Sequence, residues 1–403
     1  MLNTRLKLEI NSKKIVIFGA GKIGRSFIGQ LFGCAGYRVV FVDVDILLVD
    51  RLNQRGSYPV IFKGEQEHEI IVPNVSAISA FEVEKVTEAV ASAGIISVNV
   101  GKNALAKVVP VIAGGLKIRY KQFPDSPLDI ILAENMRNAA QFVREALQHC
   151  LPGTFPLDKL VGLIETSIGK MVPIMPLAES EKDPLMVFAE PYNSLILDRK
   201  GFRAPIPEVA GLSPKADIKA WVDRKAFIHN LGHATAAYYG HYLHPEIVYL
   251  YELLDHPEIF AFTRAVMLQS AATLVECHPN DFTINDLTRH TDNLIARFRN
   301  KALKDTVFRV GQDLTRKLAE GDRFMGAIRL AIKTEMPFDL ILKAMSYGFY
   351  FRAVDEEGMA TPSDTAFLEH LETNFEGAMT DELYFDPLND RMIINDLKSY
   401  YKP

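Results

Sequence analysis

The chain has 403 residues, 48% hydrophobic and 24% charged, with a net charge of −5. That length favours two domains, and that composition belongs to a globular protein with a sizeable core rather than a disordered chain. The mildly acidic balance gives no global reason to expect nucleic acid or an anionic membrane as partner.

Cys34, Cys150 and Cys277 lie far apart and form no CxxC. Neither a zinc knuckle nor a dithiol redox pair is signalled, and sparse cysteine fits a reducing cytoplasm, the expected location. Residues 1–14 lack the apolar core of a signal peptide. No apolar run approaches the ~18 residues of a membrane helix.

In chain order, residues 14–18 read as a buried parallel strand closed by glycine. Gly19-Ala20-Gly21-Lys22-Ile23-Gly24 follows, then a helical stretch over 25–35, then a second buried strand over 38–43 ending in Asp43. This is a βαβ unit carrying GxGxxG between strand and helix, the context a dinucleotide fingerprint requires. Gly19 permits the tight turn. Gly21 lets backbone N–H groups approach a pyrophosphate, and Gly24 lets the helix pack close to the strand. The helix N-terminus offers unpaired N–H groups and partial positive charge. Asp43, closing the second strand, is placed to accept from ribose hydroxyls and to repel a 2′-phosphate, which favours NAD over NADP. Asp45 competes for that role.

Runs at 60–62 and 69–72 read as an antiparallel hairpin. Further strands are expected at 94–100, 128–133 and 160–165, with helices between them. Asn99 and Gly101 end one of these strands, where open α/β sheets bind ligands; an ordinary strand-to-loop turn explains them as well. From about residue 214 the texture becomes helical, with helices expected at 218–242, 257–277, 284–300, 306–317, 321–334 and 338–351. The fold class is therefore an α/β Rossmann domain with a doubly wound, mostly parallel sheet (1–205), followed by an all-α substrate-binding and catalytic domain (206–403).

A hydride transfer at carbon needs a proton partner and a holder for the developing alkoxide. No Cys/His cluster has zinc-ligand spacing, and no tyrosine has a lysine four residues on. Lys225, Asn230 and His233 remain, within one broad arc of a helix: Asn230 lies about 140° and His233 about 80° from Lys225 at the α-helical angle per residue. Burial would lower the lysine pKa into a general-base range. The plain alternative is a solvated lysine beside a core histidine, and His229 is an equal candidate.

Several motifs in order identify a resemblance. They are residues 18–25, Glu134-Asn135-Met136, Asp183-Pro184-Leu185, Lys225…Asn230…His233, Leu303-Lys304-Asp305, Arg309-Val310-Gly311, Arg316-Lys317-Leu318 and Gly321-Asp322-Arg323. Over about residues 14–350 the chain resembles the polyol-specific long-chain dehydrogenases, the mannitol dehydrogenase family. The resemblance implies that Lys225 is the general acid/base and that Asn135 and Asn230 flank the reacting oxygen as an oxyanion hole. It implies that His233, Arg309 and Lys317 contact substrate, that NAD is the cofactor, that no metal is used, and that the active site lies in a cleft between the domains. The implied reaction interconverts mannitol 1-phosphate and fructose 6-phosphate. The alternatives are an altronate/tagaturonate-type uronate reductase, an unphosphorylated polyol dehydrogenase, and an NAD-binding regulator without turnover. The expected partner is a small-molecule substrate, with neither nucleic acid nor membrane; relatives include monomers and larger forms.

One stretch departs from the family. Where relatives carry Val-Asp-Arg-Ile-x-Pro, this chain has residues 168–173 with Gly169 and Lys170, and Leu195 stands at a family tryptophan. Losing that carboxylate removes a hydroxyl acceptor and puts substrate identity in play. Residues 297–323 carry eight Lys/Arg against four acids, a net +4. Pairs such as Lys301 with Asp305 would account for part of this. Arg309 and Lys317, about 80° apart on one helix, are expected to receive the anionic end of a substrate.

Overall fold

The computed structural model describes residues 8–64, 66–134, 138–173 and 175–402. Residues 1–7, within the N-terminal stretch read above, lie outside the described residues, as do Asn135 and Met136. The chain divides into two units, Met1–Ile218 and Lys219–Pro403. Among the described residues no helix is long and apolar enough to cross a membrane.

The first unit holds strands β1 (Asn11–Phe18), β2 (Arg38–Asp43), β3 (Tyr58–Phe62), β4 (His68–Val72), β5 (Val75–Ser79), β6 (Ala93–Val98), β7 (Leu128–Leu132), β8 (Val161–Ser167), β9 (Val187–Ala189), β10 (Leu195–Asp198) and β11 (Leu212–Lys215). Eight of them form one sheet in the order β11-β10-β8-β7-β6-β1-β2-β5. All its pairs are parallel except β8 with β10. The expected β3–β4 hairpin is present, and β9 joins it to make a separate three-stranded sheet.

Alternation along β1 explains why this sheet is buried on both faces. Ile15 and Ile17 pack into one apolar cluster, Val16 and Phe18 into the other, and all four are fully or almost fully buried. The order reverses at β1, which has β2 on one side and β6 on the other. That reversal creates a crevice outside the carboxyl ends, where such sheets bind ligands. Register makes it compact: Phe18 pairs with Val42 and with Val98. Gly19, Asp43 and Asn99 therefore stand at one level at the carboxyl edge of the sheet.

Four strands escape the sequence reading: β5, β9, β10 and β11. The expected division at 205/206 falls in the segment joining β10 to β11, which pair in parallel. The second unit is helical. Its first helix runs from Ile218 to Leu243, followed by Pro257–Cys277, Ile284–Phe298, Met325–Lys333, Asp339–Ser346 and a C-terminal set ending in Arg391–Tyr400.

The helix expected at 306–317 is instead two short ones, Val307–Gly311 and Leu314–Leu318. Asp313 between them is left-handed at φ 71°. The break is fixed from outside: the Asp364 carboxylate accepts from Asp313 N–H at 2.7 Å and from Leu314 N–H at 2.8 Å. The single-helix relation expected between Arg309 and Lys317 does not survive it.

Candidate active site

The glycine turn is built by close approach. Gly19 adopts φ 93°, and a Cβ there would meet Asn99 O at 2.6 Å. A Cβ on Gly24 would lie 2.0 Å from Gly19 O, whereas one on Gly21 would meet nothing within 4 Å. Gly19 and Gly24 thus shape the turn, and Gly21 keeps the space beside it open. Asp43 Oδ2 accepts from Ala20 N–H at 2.6 Å, so its carboxylate is held against the turn. Asp45 is engaged elsewhere, as the N-cap of helix Ile46–Arg55 accepting from Leu48 N–H. Lys22 and Ile23 open the helix. Gly101, at φ 81°, caps helix Lys102–Gln122. The buried Glu134 carboxylate accepts from Val100 N–H at 2.7 Å and Gly101 N–H at 3.0 Å, and burial raises its pKa. These residues fit a dinucleotide: an open face at Gly21, a helix N-terminus and an acid at the end of β2.

In the second unit, Lys225–Asn230 is a π-helical turn inside the long helix. Leu231 N–H reaches back five residues to Ala226 O. This corrects the α-helical geometry assumed above. In an i→i+5 turn, residues five apart follow one another along one face, so Lys225 and Asn230 are in line rather than splayed around the helix. Isolated π turns inside α-helices recur at functional sites. Burial, with a smaller contribution from Arg323, pushes the Lys225 pKa down to about 8, against the opposing effect of Asp322. His229, also buried, is held well below the usual histidine range by desolvation. It is therefore neutral and cannot replace the lysine as a cationic proton donor.

His233 stacks on Phe298 with ring centroids 4.6 Å apart, and its Nε2 lies 3.4 Å from Asp305 Oδ2. Asp305 also pairs with Arg309, so it links the two rather than pairing with Lys301 as the spacing suggested. Burial alone would raise the Asp305 carboxyl, but His233 and Arg309 outweigh it and hold its pKa below the ordinary value. Lys317 is buried. Its ammonium donates to Val310 O at 2.6 Å and to Gln312 O, the carbonyls that end the preceding short helix. Burial first, then Arg323 and Arg316, push its pKa down to about 7. Within the segment Arg316 pairs with Asp313 and Arg323 with Asp322, and Arg299 pairs with Asp255 outside it.

Residues 13–211 match the mannitol dehydrogenase Rossmann domain, and residues 217–398 match the mannitol dehydrogenase C-terminal domain. The chain belongs to the mannitol dehydrogenase family. A substrate-free D-sorbitol dehydrogenase superposes with a TM-score of 0.79 at 15% identity, over 97% of this chain and 92% of that one. Pseudomonas fluorescens mannitol 2-dehydrogenase, solved with NAD and D-mannitol, gives a TM-score of 0.72 at 14% identity, over 98% and 92%. At these identities the likeness is one of fold.

Within this mannitol dehydrogenase fold, Arg25 joins two of the sequence motifs. Its buried guanidinium donates to Ala20 O at 2.7 Å and to Leu185 O at 2.7 Å, tying the glycine turn to Asp183-Pro184-Leu185. The departing Lys170 is buried too. It donates to Asn193 Oδ1 at 2.9 Å and lies 5.0 Å and 5.2 Å from the ring centroids of Phe27 and Phe62. Leu195, at the family tryptophan position, is a fully buried residue of β10. Sequence reasoning passed over Arg25, Glu134 and Asp305 as chemistry. Their presence in the motifs was a usable signal; their partners, mostly distant along the chain, were not.

Proposed function

We propose that this protein is an NAD-dependent polyol dehydrogenase that exchanges a proton through Lys225. The observation that carries the reading is the buried π turn, which sets a lysine with a pKa of about 8 in line with an amide donor at Asn230. In alcohol oxidation the neutral amine of Lys225 takes the hydroxyl proton, and in carbonyl reduction the ammonium returns it. Asn230, with Asn135 from the second motif, donates to the developing alkoxide without titrating. The Asp305 carboxylate, 3.4 Å from His233 Nε2, favours a proton on that nitrogen and so leaves Nδ1 to accept from a substrate hydroxyl. Gly19, Ala20, Gly21, Lys22, Ile23, Gly24, Asp43, Asn99 and Gly101 hold the dinucleotide. NAD, when bound, supplies the hydride acceptor.

For the substrate we propose the pair mannitol 1-phosphate and fructose 6-phosphate, the reading of a mannitol-1-phosphate 5-dehydrogenase. The net positive segment 297–323 supports it, with the Arg309 side chain 43% exposed. A second reading, an unphosphorylated polyol, draws on the carbonyls that already engage Lys317 and on the charge of Asp305 against Arg309. NADH oxidation with fructose 6-phosphate, fructose and tagaturonate in parallel separates them. Turnover of fructose without fructose 6-phosphate would replace the first reading by the second, and tagaturonate alone would make the protein a uronate reductase. Binding of NADH with no turnover of any ketose would leave a regulator.

A further inference from the structure

The Gly321-Asp322-Arg323 motif has so far received no role. Gly321 turns the chain at φ 81°, and Gly326 N–H closes the turn onto Asp322 O at 2.7 Å. This turn packs directly on the π turn that carries the lysine. A Cβ on Gly326 would lie 2.6 Å from Phe227 Cε1, so only glycine lets the two come this close. At the same contact the guanidinium of Arg323, 7% exposed, reaches Asn230 O at 3.4 Å through Nη1 and Asp322 Oδ1 at 2.9 Å through Nε. Asp322 is shared with Arg316. Arg323 is thus a buried cation with a rigid fork, anchored at the last residue of the π turn. A planar, always-charged donor suits that place better than a lysine, which could neutralise.

We propose that Arg323 is a positioning residue that locks the π turn and presents a fixed positive charge to Lys225. The inference rests on the reading of Lys225 as the proton-exchanging group. Of the charged groups acting on Lys225, Arg323 lowers its pKa and Asp322 opposes it. Helix Pro257–Cys277 buries only uncharged side chains against the unit. From helix Ile284–Phe298, His290 and Arg297 act on His229, and His290 is itself held neutral, its pKa lowered to about 3 by burial. Asp322 opposes Arg323 from the same turn. On the π turn itself, His229 is neutral.

The test compares wild type with R323Q, R323K and D322N in the full-length protein. The pH dependence of Lys225 acetylation by trace acetic anhydride, read by peptide mass spectrometry, reports its titration without substrate or cofactor. The pH profile of polyol oxidation is measured beside it. R323Q should move both midpoints up by about one pH unit, R323K should move them up by a smaller amount because a buried lysine is partly neutral there, and D322N should move them down. An unmoved labelling midpoint in R323Q overturns the proposal. If R323Q does not fold, D322N decides, because without Asp322 the charge of Arg323 acts on the lysine uncompensated; a midpoint that fails to fall overturns the proposal. A shifted labelling midpoint in a protein that turns over no polyol, wild type included, sinks the dehydrogenase reading and leaves this assignment standing. Unchanged labelling with turnover intact sinks this assignment alone.

Discussion

Lys225 gives the sharpest quantitative expectation. At the ordinary lysine value of 10.5, roughly one side chain in a thousand would be the neutral amine at pH 7.5. At about 8, roughly one in four is. Burial in the π turn therefore raises the population of the competent base about 200-fold near neutrality. The sign follows from the direction of reaction. Oxidation needs the amine, so kcat/KM should rise tenfold per pH unit from pH 6 and level off above about pH 8. Reduction needs the ammonium, so kcat/KM should be flat below that midpoint and fall above it. Two variants complete the case. Lys225→Ala removes the proton carrier and should lower kcat by ~10²–10⁴-fold. Lys225→Arg keeps the charge, cannot deprotonate, and should lose as much. Initial rates of NAD reduction and NADH oxidation across pH 6–10 measure all of this. A midpoint near 10, or an arginine variant within threefold of wild type, would refute the argument.

Three further expectations concern the glycine turn and the break at Asp313. Gly24→Ala forces a Cβ to 2.0 Å from Gly19 O, so the turn must open; it should cost stability by about 1–3 kcal/mol and abolish NAD binding. Gly21→Ala meets no neighbour and should leave the melting temperature unchanged while weakening NAD binding, read by thermal shift and fluorescence titration; full NAD affinity in that variant would show that the open face is not where the pyrophosphate lies. Asp364→Ala removes the acceptor from two backbone N–H groups and should lower stability by about 2–4 kcal/mol in urea titrations. Asp364→Asn, which keeps one acceptor oxygen, should lose about half of that.

The legible parts of the fold are those whose signal is local. The strand–turn–helix around Gly19–Gly24 declares itself through a glycine pattern framed by apolar runs. Helix Pro257–Cys277 is bounded by a proline at its first position and has an apolar pattern throughout. What was missed depends on distant partners. Val75–Ser79 is short, mixes apolar residues with serines in no clean alternation, and becomes a strand by pairing with β2. Leu212–Lys215 contains Pro214, tolerated because β11 is an edge strand. In the site, Lys225, Asn230 and His233 were found by type and spacing, but their relation was not. The stretch Lys-Ala-Phe-Ile-His-Asn has nothing in its composition to distinguish a π turn from an α turn. The break at Asp313 was equally hidden, since it depends on the distant Asp364.

The π turn also occurs in the first unit, and the comparison indicates what such turns need. Gly24–Gly29 is π-helical and follows the glycine turn directly. A π turn is rare because its hydrogen-bond geometry is poorer than that of an α-helix, so it persists where surrounding contacts over-determine it. In the first unit those contacts are Tyr58, whose hydroxyl donates to Arg25 O at 2.8 Å, and Arg25, which donates back to Ala20 O. A Cβ on Gly29 would lie 2.5 Å from the Tyr58 hydroxyl, so glycine makes that contact possible. In the second unit the same parts recur: Gly326 admits Phe227, and Arg323 reaches a main-chain carbonyl of the turn. In both units a glycine provides the close approach and a buried arginine bonds to main-chain carbonyls. One π turn adjoins the proposed cofactor site, and the other carries the proposed proton carrier. Removing the side chain that bonds a carbonyl of the turn, Tyr58 in the first unit and Arg323 in the second, should therefore relax that turn towards α-helix, and in the second unit that would swing Asn230 out of line with Lys225.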